Sequence, residues 1–171
     1  MCPAFLRSPP ESGSIGDPPD LRNPDDARWQ LACVWPDTGR LSRTKQAIAF
    51  AQRDLPVVVE GDALAVLPEL LRGLDPGGVV CVVTTWVFAY FLLDERKRFV
   101  EMLLEGAKHR PIVWVAGEGA GIVDLVETGD LPDYHDGESN VLTAVLFDAT
   151  GTHPTLLGFA QPHGMWLDWR A

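Results

Sequence analysis

Several things are scarce in this sequence, and each scarcity removes a class of protein. Among 171 residues there are three cysteines, Cys2, Cys33 and Cys81, far apart and odd in number. No Cys-x-x-Cys pair occurs, so neither a structural zinc site nor a disulfide framework is indicated. Cys81 lies in an apolar run and reads as a small buried hydrophobe. This usage fits a reducing cytoplasm. No apolar run reaches the length of a membrane span, because Asp94, Glu95 and Arg96 close the longest one. The N-terminal MCPAFLRSPP has too short an apolar stretch for a signal peptide. Positive charge is scarce as well: 14 Lys and Arg stand against 24 Asp and Glu, a formal net charge of −10. That excess repels a phosphate backbone and no basic run offsets it, which argues against a nucleic-acid partner. There is no internal repeat and no low-complexity tract.

What remains has the length of one domain and an ordinary globular composition, with 46% hydrophobic and 22% charged residues. Prolines crowd the stretch before Asp25, so residues 1–26 read as an irregular arm and residues 27–171 as a single domain. Trp29–Trp35 is apolar and ends at Pro36, which biases Trp35 towards extended backbone. Ser42 can cap a helix whose Ala47, Ile48 and Ala51 share a face. Pro56–Glu60 is a β-branched run of the buried-strand kind. Asp62 can cap a helix carrying Leu64, Leu67, Leu70, Leu71 and Leu74, although Pro68 inside it suggests a later start. Val79–Thr84 and Ile112–Ala116 read as two further buried strands. Between them Asp94–His109 is a helix with Phe99, Val100, Leu103 and Leu104 on one stripe. Strands alternating with helices predict a parallel sheet covered on both faces. Gly119–Asn140 is loop-rich, with one helical turn near Ile122–Val126. Val141–Asp148 and Thr155–Ala160 then predict a hairpin joined by Ala149–Pro154.

In open α/β sheets, ligands bind outside the carboxyl ends of the strands. Thr84, Thr85 and Trp86 end the second strand, where a hydroxyl and an indole can position a ligand; alternatively Trp86 closes the core and the threonines satisfy nearby backbone groups. Glu118, just past the third strand, is a base, a ligand-positioning carboxylate or, three times more commonly for such a position, a solvated loop acid. His163, between Pro162 and Gly164 and near Trp166 and Trp169, suits general acid–base work or a backbone-bonded structural role. His109, His135 and His153 show no paired spacing, so no metal site is expected. Gly117-Glu118-Gly119-Ala120-Gly121 imitates a cofactor loop, with Asp148 in the place of a ribose acid. A working fingerprint opens a long helix, and Gly129, Asp130, Pro132 and Gly137 interrupt any such helix here.

The segments Trp29–Arg40 (WQLACVWPDTGR), Val59–Ala63 (VEGDA), Val83–Tyr90 (VTTWVFAY) and His163–Trp169 (HGMWLDW) together resemble a bacterial family of unknown function, DUF2332, over nearly the whole chain. The element order is similar to the back half of S-adenosylmethionine-dependent methyltransferases, whose sheet also ends in an antiparallel pair. The resemblance implies a Rossmann-like partial domain, mostly parallel, with its closing hairpin antiparallel. It implies that Asp62 faces an adenine amino group and that Thr84, Thr85 and Trp86 face the methyl donor. Members of the family extend further and carry a Gly-rich turn after a first strand; this chain starts beyond that turn. The expectation is therefore a truncated methyltransferase-like module, without cofactor or independent catalysis. The alternative is an S-adenosylmethionine-dependent transferase completed by a partner chain or by dimerisation. Either way two strand edges need a partner, which Trp29–Val34, a second copy or another chain would supply.

Overall fold

A computed structural model describes residues 4–6, 19–34, 39–55, 57–59, 61–74, 78–120 and 139–171. The chain divides into two compact units, Met1–Ala63 and Leu64–Ala171.

In the first unit, strand β1 (Ala4–Leu6) pairs in parallel with β2 (Val57–Val59), and helices α1 (Pro24–Ala32) and α2 (Arg40–Ala51) lie between them in sequence. Two expectations are corrected here. The residues before Asp25 are not uniformly irregular, and Trp29–Val34 supplies no strand. Proline suits the first helical position, where its missing N–H costs nothing. Asn23 caps the helix ahead of Pro24, its side chain accepting from the Asp25 N–H at 3.0 Å. The second helix starts at Gly39, whose φ of 66° is the left-handed conformation glycine adopts freely. Ser42 is thus inside the first turn rather than at the cap. The half-buried stripe runs through Leu41, Thr44, Ile48 and Ala51, while Ala47 is exposed.

In the second unit, α3 (Ala63–Gly73, its first residue in the first unit) precedes a five-stranded sheet in the order β3-β4-β5-β6-β7. The strands are β3 (Val80–Thr85), β4 (Ile112–Gly119), β5 (Asn140–Asp148), β6 (Gly151–Ala160) and β7 (Leu167–Trp169). Helix α4 (Leu93–Ala107) links β3 to β4, the one parallel pair; β4–β5, β5–β6 and β6–β7 are antiparallel. The sheet is therefore mostly antiparallel, and the expected mostly parallel, Rossmann-like arrangement is corrected. The closing hairpin is antiparallel, as expected. The balance shifts because β5 also runs antiparallel to β4, and because β7 follows β6 after only residues 161–166, too short for the crossover a parallel pair needs. The valine run Val57–Val59, expected in the same sheet, pairs with β1 instead.

Strand alternation sends Ile112, Trp114, Ala116 and Glu118 of β4 to one face, with Val141, Val145 and Phe147 of β5 beside them, all buried. Helix α4 covers that face with Phe99 and Leu103, whereas Leu104 is 41% exposed. Gly106 lets the helix approach closely: a Cβ there would lie 2.8 Å from Ile112 Cδ1 and 3.2 Å from Leu71 Cδ1. Leu71 belongs to α3, so both helices pack on the same side. Helix α3 does run from Ala63 through Pro68, against the expected later start. Burial of Leu64, Leu67 and Leu71 offsets the main-chain bond that proline gives up.

The opposite face is not covered by a helix among the described residues of this unit. Cys81, Val83 and Thr85 are exposed there, and Val113, Val115, Leu142, Ala144 and Leu146 are half-buried. Cys81 is therefore a surface thiol, not a core residue. The expected helical turn near Ile122–Val126 lies outside the described residues. Pro154, expected in the turn, falls within β6; β7 reaches only Gly158–Ala160, so β6 is an edge at Pro154.

Candidate functional site at the carboxyl ends of β3 and β4

The parallel pair sets Thr84 opposite Ala116 and Thr85 opposite Gly117. The pairing extends one residue further through the Trp86 N–H, 3.3 Å from the Gly117 carbonyl oxygen. Trp86 then takes a φ of 57°, the left-handed region. For a bulky residue this conformation costs about 1–3 kcal/mol and persists only where its surroundings enforce it. The enforcing contacts follow at once. The Val87 N–H donates to Glu118 Oε1 at 3.2 Å, and Phe88–Tyr90 forms a 3-10 turn. Arg96 of α4 donates from Nε to the carbonyl oxygens of both Phe88 and Phe91, each at 3.0 Å.

Beneath the turn lies an aromatic cluster. Phe88 stacks on Trp114 with ring centroids 5.0 Å apart, and Phe99 meets Phe88 edge-on at 5.1 Å. The buried indole needs an acceptor, and Trp114 Nε1 donates to Thr84 Oγ1 at 3.0 Å. Glu118 is 0% exposed, at the end of β4 rather than past it. This corrects its reading as a solvated loop acid. Burial raises its carboxyl pKa above the ordinary 4.5, against hydrogen bonds from Phe88, Val87 and Thr84 and the positive charge of Arg96. Such a group can hold a proton and anchor N–H donors, while its enclosure keeps it from a ligand in solvent.

The other candidates are spread more widely. Thr85 is exposed and Trp86 is 44% exposed, so Trp86 rims the strand ends instead of closing the core. Asp62 is exposed immediately before α3, in the first unit. His163 is exposed in the turn between β6 and β7; its N–H donates to Gln161 Oε1 at 2.7 Å. That turn follows the end of β6 where Ala160 faces Asn140, and Asn140 in turn faces Gly119 of β4. His163 thus shares an end of the sheet with Thr84, but β4 and β5 intervene, a separation of about 14 Å in strand spacings. Sheet topology does not bring the two together.

Gly117, Glu118 and Gly119 are strand residues, which disposes of the glycine-loop imitation; Gly121 lies outside the described residues. Asp148 is occupied at the hairpin. Its Oδ1 accepts from the Thr150 hydroxyl at 2.6 Å and N–H at 2.7 Å and lies 3.3 Å from His153 Nε2. The Thr150 bonds hold its carboxyl pKa below the ordinary range. Among the described residues no three or more His, Cys, Asp or Glu gather as a group that could hold a metal ion. None of their helices is long and apolar enough to cross a membrane.

Trp114, Arg96 and Phe88 take part in this region without having been singled out from sequence. Trp114 alone left a usable signal: an indole in an otherwise aliphatic strand must find an acceptor.

Fold and site define an α/β protein whose second unit holds a mixed five-stranded sheet with its described helices on one face and a closed polar cluster at the ends of the parallel strands. The chain belongs to the family described as "Uncharacterized protein conserved in bacteria (DUF2332)", which matches residues 15–169. No curated protein matches the chain. No solved structure matches it either.

Proposed function

We propose that the chain is a methyltransferase-like module that presents the rim of a ligand site but transfers no methyl group by itself. The observation that carries this reading is the inward commitment of Glu118 and Thr84. Glu118 is 0% and Thr84 4% exposed, with one carboxylate oxygen spent on the Val87 N–H and the threonine hydroxyl spent on Trp114. These groups do not fit S-adenosylmethionine, whose charged and polar parts need donors and acceptors that face the ligand. Thr85 and Trp86 remain on the rim and suit a positioning role through hydroxyl and indole.

A second reading, a transferase completed by a partner chain or a second copy, is favoured by the margin of the sheet. Strand β3 is outermost among the described strands; Val83 in it is 63% exposed and Val79 just before it 68%. Natural sheet edges are guarded by charge, proline or bulges, and Val79–Thr85 contains no charged residue and no proline. A strand added there in parallel would set its own carboxyl end beside Thr85 and Trp86. In that reading Asp62 and His163 keep the binding and acid–base roles that resemblance and chemistry suggest.

Calorimetry of the whole chain with S-adenosylmethionine and with S-adenosylhomocysteine tests the proposal, with sedimentation equilibrium recording the assembly state. No heat of binding to the monomer is expected. Micromolar binding by the monomer would overturn the proposal, and micromolar binding confined to a dimer would replace it with the second reading.

A further inference from the structure

Three polar side-chain atoms of this unit are buried without a hydrogen-bond partner: Glu118 Oε2, Thr143 Oγ1 and Asn140 Oδ1. Buried polar groups in folded proteins are almost always satisfied, by protein or by ordered water, so each needs an explanation. The register groups two of them. Thr143 of β5 is paired with Ala116 of β4, and Glu118 is the next residue of β4 on that same face. Thr143 and Glu118 are therefore diagonal neighbours, both essentially inaccessible, at 1% and 0% exposure. Asn140 is set one residue off this alternation and faces the other way.

Around the two side chains on this face stand Ala116, flanked on its other side by Thr84, and Val141, the partner of Glu118. One step back along the strands the same layer is filled by Trp114 and Val145. Along β4 the layer thus drops from the indole of Trp114 to the methyl group of Ala116 and then to the carboxyl of Glu118. Diagonal Cβ atoms in a sheet stand somewhat under about 7–8 Å apart, within the reach of long side chains and of one water bridging them.

We propose that Glu118 and Thr143 wall an internal solvent site that holds one ordered water. The water donates to Glu118 Oε2 and accepts from the Thr143 hydroxyl; with Glu118 protonated, Oε2–H donates to the water, which donates to Thr143. The chemistry is satisfied in either state. A larger or apolar occupant would leave one of the two groups unpaired. The site also ties the middle of β5 to the turn that carries Trp86, through Glu118 and the Val87 N–H.

A crystal structure at a resolution that shows ordered solvent provides the direct test. A water within hydrogen-bonding distance of both atoms is expected; a dry contact, or a Thr143 hydroxyl bonded straight to Glu118 or to a main-chain carbonyl, would overturn the proposal. Urea unfolding of Glu118→Leu, Thr143→Val and the double variant supplies a second test. A shared water couples the two positions, so the double variant should depart from additivity by about fivefold or more in the unfolding equilibrium constant. Thr143→Ser, which keeps the hydroxyl, should retain the coupling. Additive effects, or coupling lost in the serine variant, would contradict the bridge.

Discussion

Trp114 and Thr84 are joined across β4 and β3 by a 3.0 Å hydrogen bond from the indole Nε1–H to the threonine Oγ1, inside the core. The bond makes the end of β3 part of the aromatic cluster and takes the hydroxyl away from any ligand. Thr84→Val keeps the shape and removes the acceptor, leaving a buried N–H unsatisfied, at a cost of about 1–3 kcal/mol. Thr84→Ser should recover most of it. Chemical denaturation monitored by far-UV circular dichroism measures both.

Glu118 makes stability depend on pH in a definite direction. Its folded-state pKa is raised, chiefly by burial. Between the ordinary value of 4.5 and the raised value, the folded state holds a proton that the unfolded state has released. Stability contributed by this group is thus full below the ordinary value and is lost as pH rises through the raised one. Glu118→Gln removes that part of the slope. The comparison is of unfolding free energies for the two proteins over that interval, and parallel curves would count against the assignment.

Trp86 holds a left-handed φ of 57° while 44% exposed. Asparagine and glycine tolerate that conformation with less strain. Trp86→Asn is expected to leave stability unchanged or raise it by roughly 1 kcal/mol, since relief of backbone strain offsets the lost ring contacts. A loss of several kcal/mol on thermal unfolding would mean that the indole is a packing element.

Gly158 has a φ of 150°, and an added Cβ would drive into the main-chain carbonyl of Asp168 on β7. Gly158→Ala should therefore detach β7 from β6. Hydrogen exchange at Leu167–Trp169 should quicken while the amides of β4 keep their protection. Unchanged protection of β7 would show that the strand pair adjusts.

Much of the element plan could be read from sequence, because it follows local rules. The amphipathic stripe with Phe99 and Leu103, the valine runs and the strands of the hairpin after Val141 stand where periodicity puts them, the turn being Ala149 and Thr150 rather than Ala149–Pro154. Partner choice was not legible. Nothing in Val57–Val59 distinguishes pairing with Ala4–Leu6 from joining Val80–Thr85, since both are short β-branched runs. Pro24 looked like a breaker because composition was weighed before position; behind Asn23 it is a helix start. Glu118 shows the same limit at the site. Acidic residues are seldom fully buried, so a loop acid was the reasonable expectation. It is buried because β4 continues through Gly119 and the Trp86 turn folds over it, two facts that depend on pairing with β3 and β5.

The account stands on the closure of the strand ends over Glu118. Following the Glu118 side-chain carboxyl carbon by NMR through a pH titration of the intact chain tests it most directly. The structure predicts a midpoint above 4.5, accompanied by shifts of the Val87 and Phe88 amides. A midpoint at or below 4.5, with those amides unmoved, would mean that the carboxylate is open to solvent and that the strand ends are not sealed.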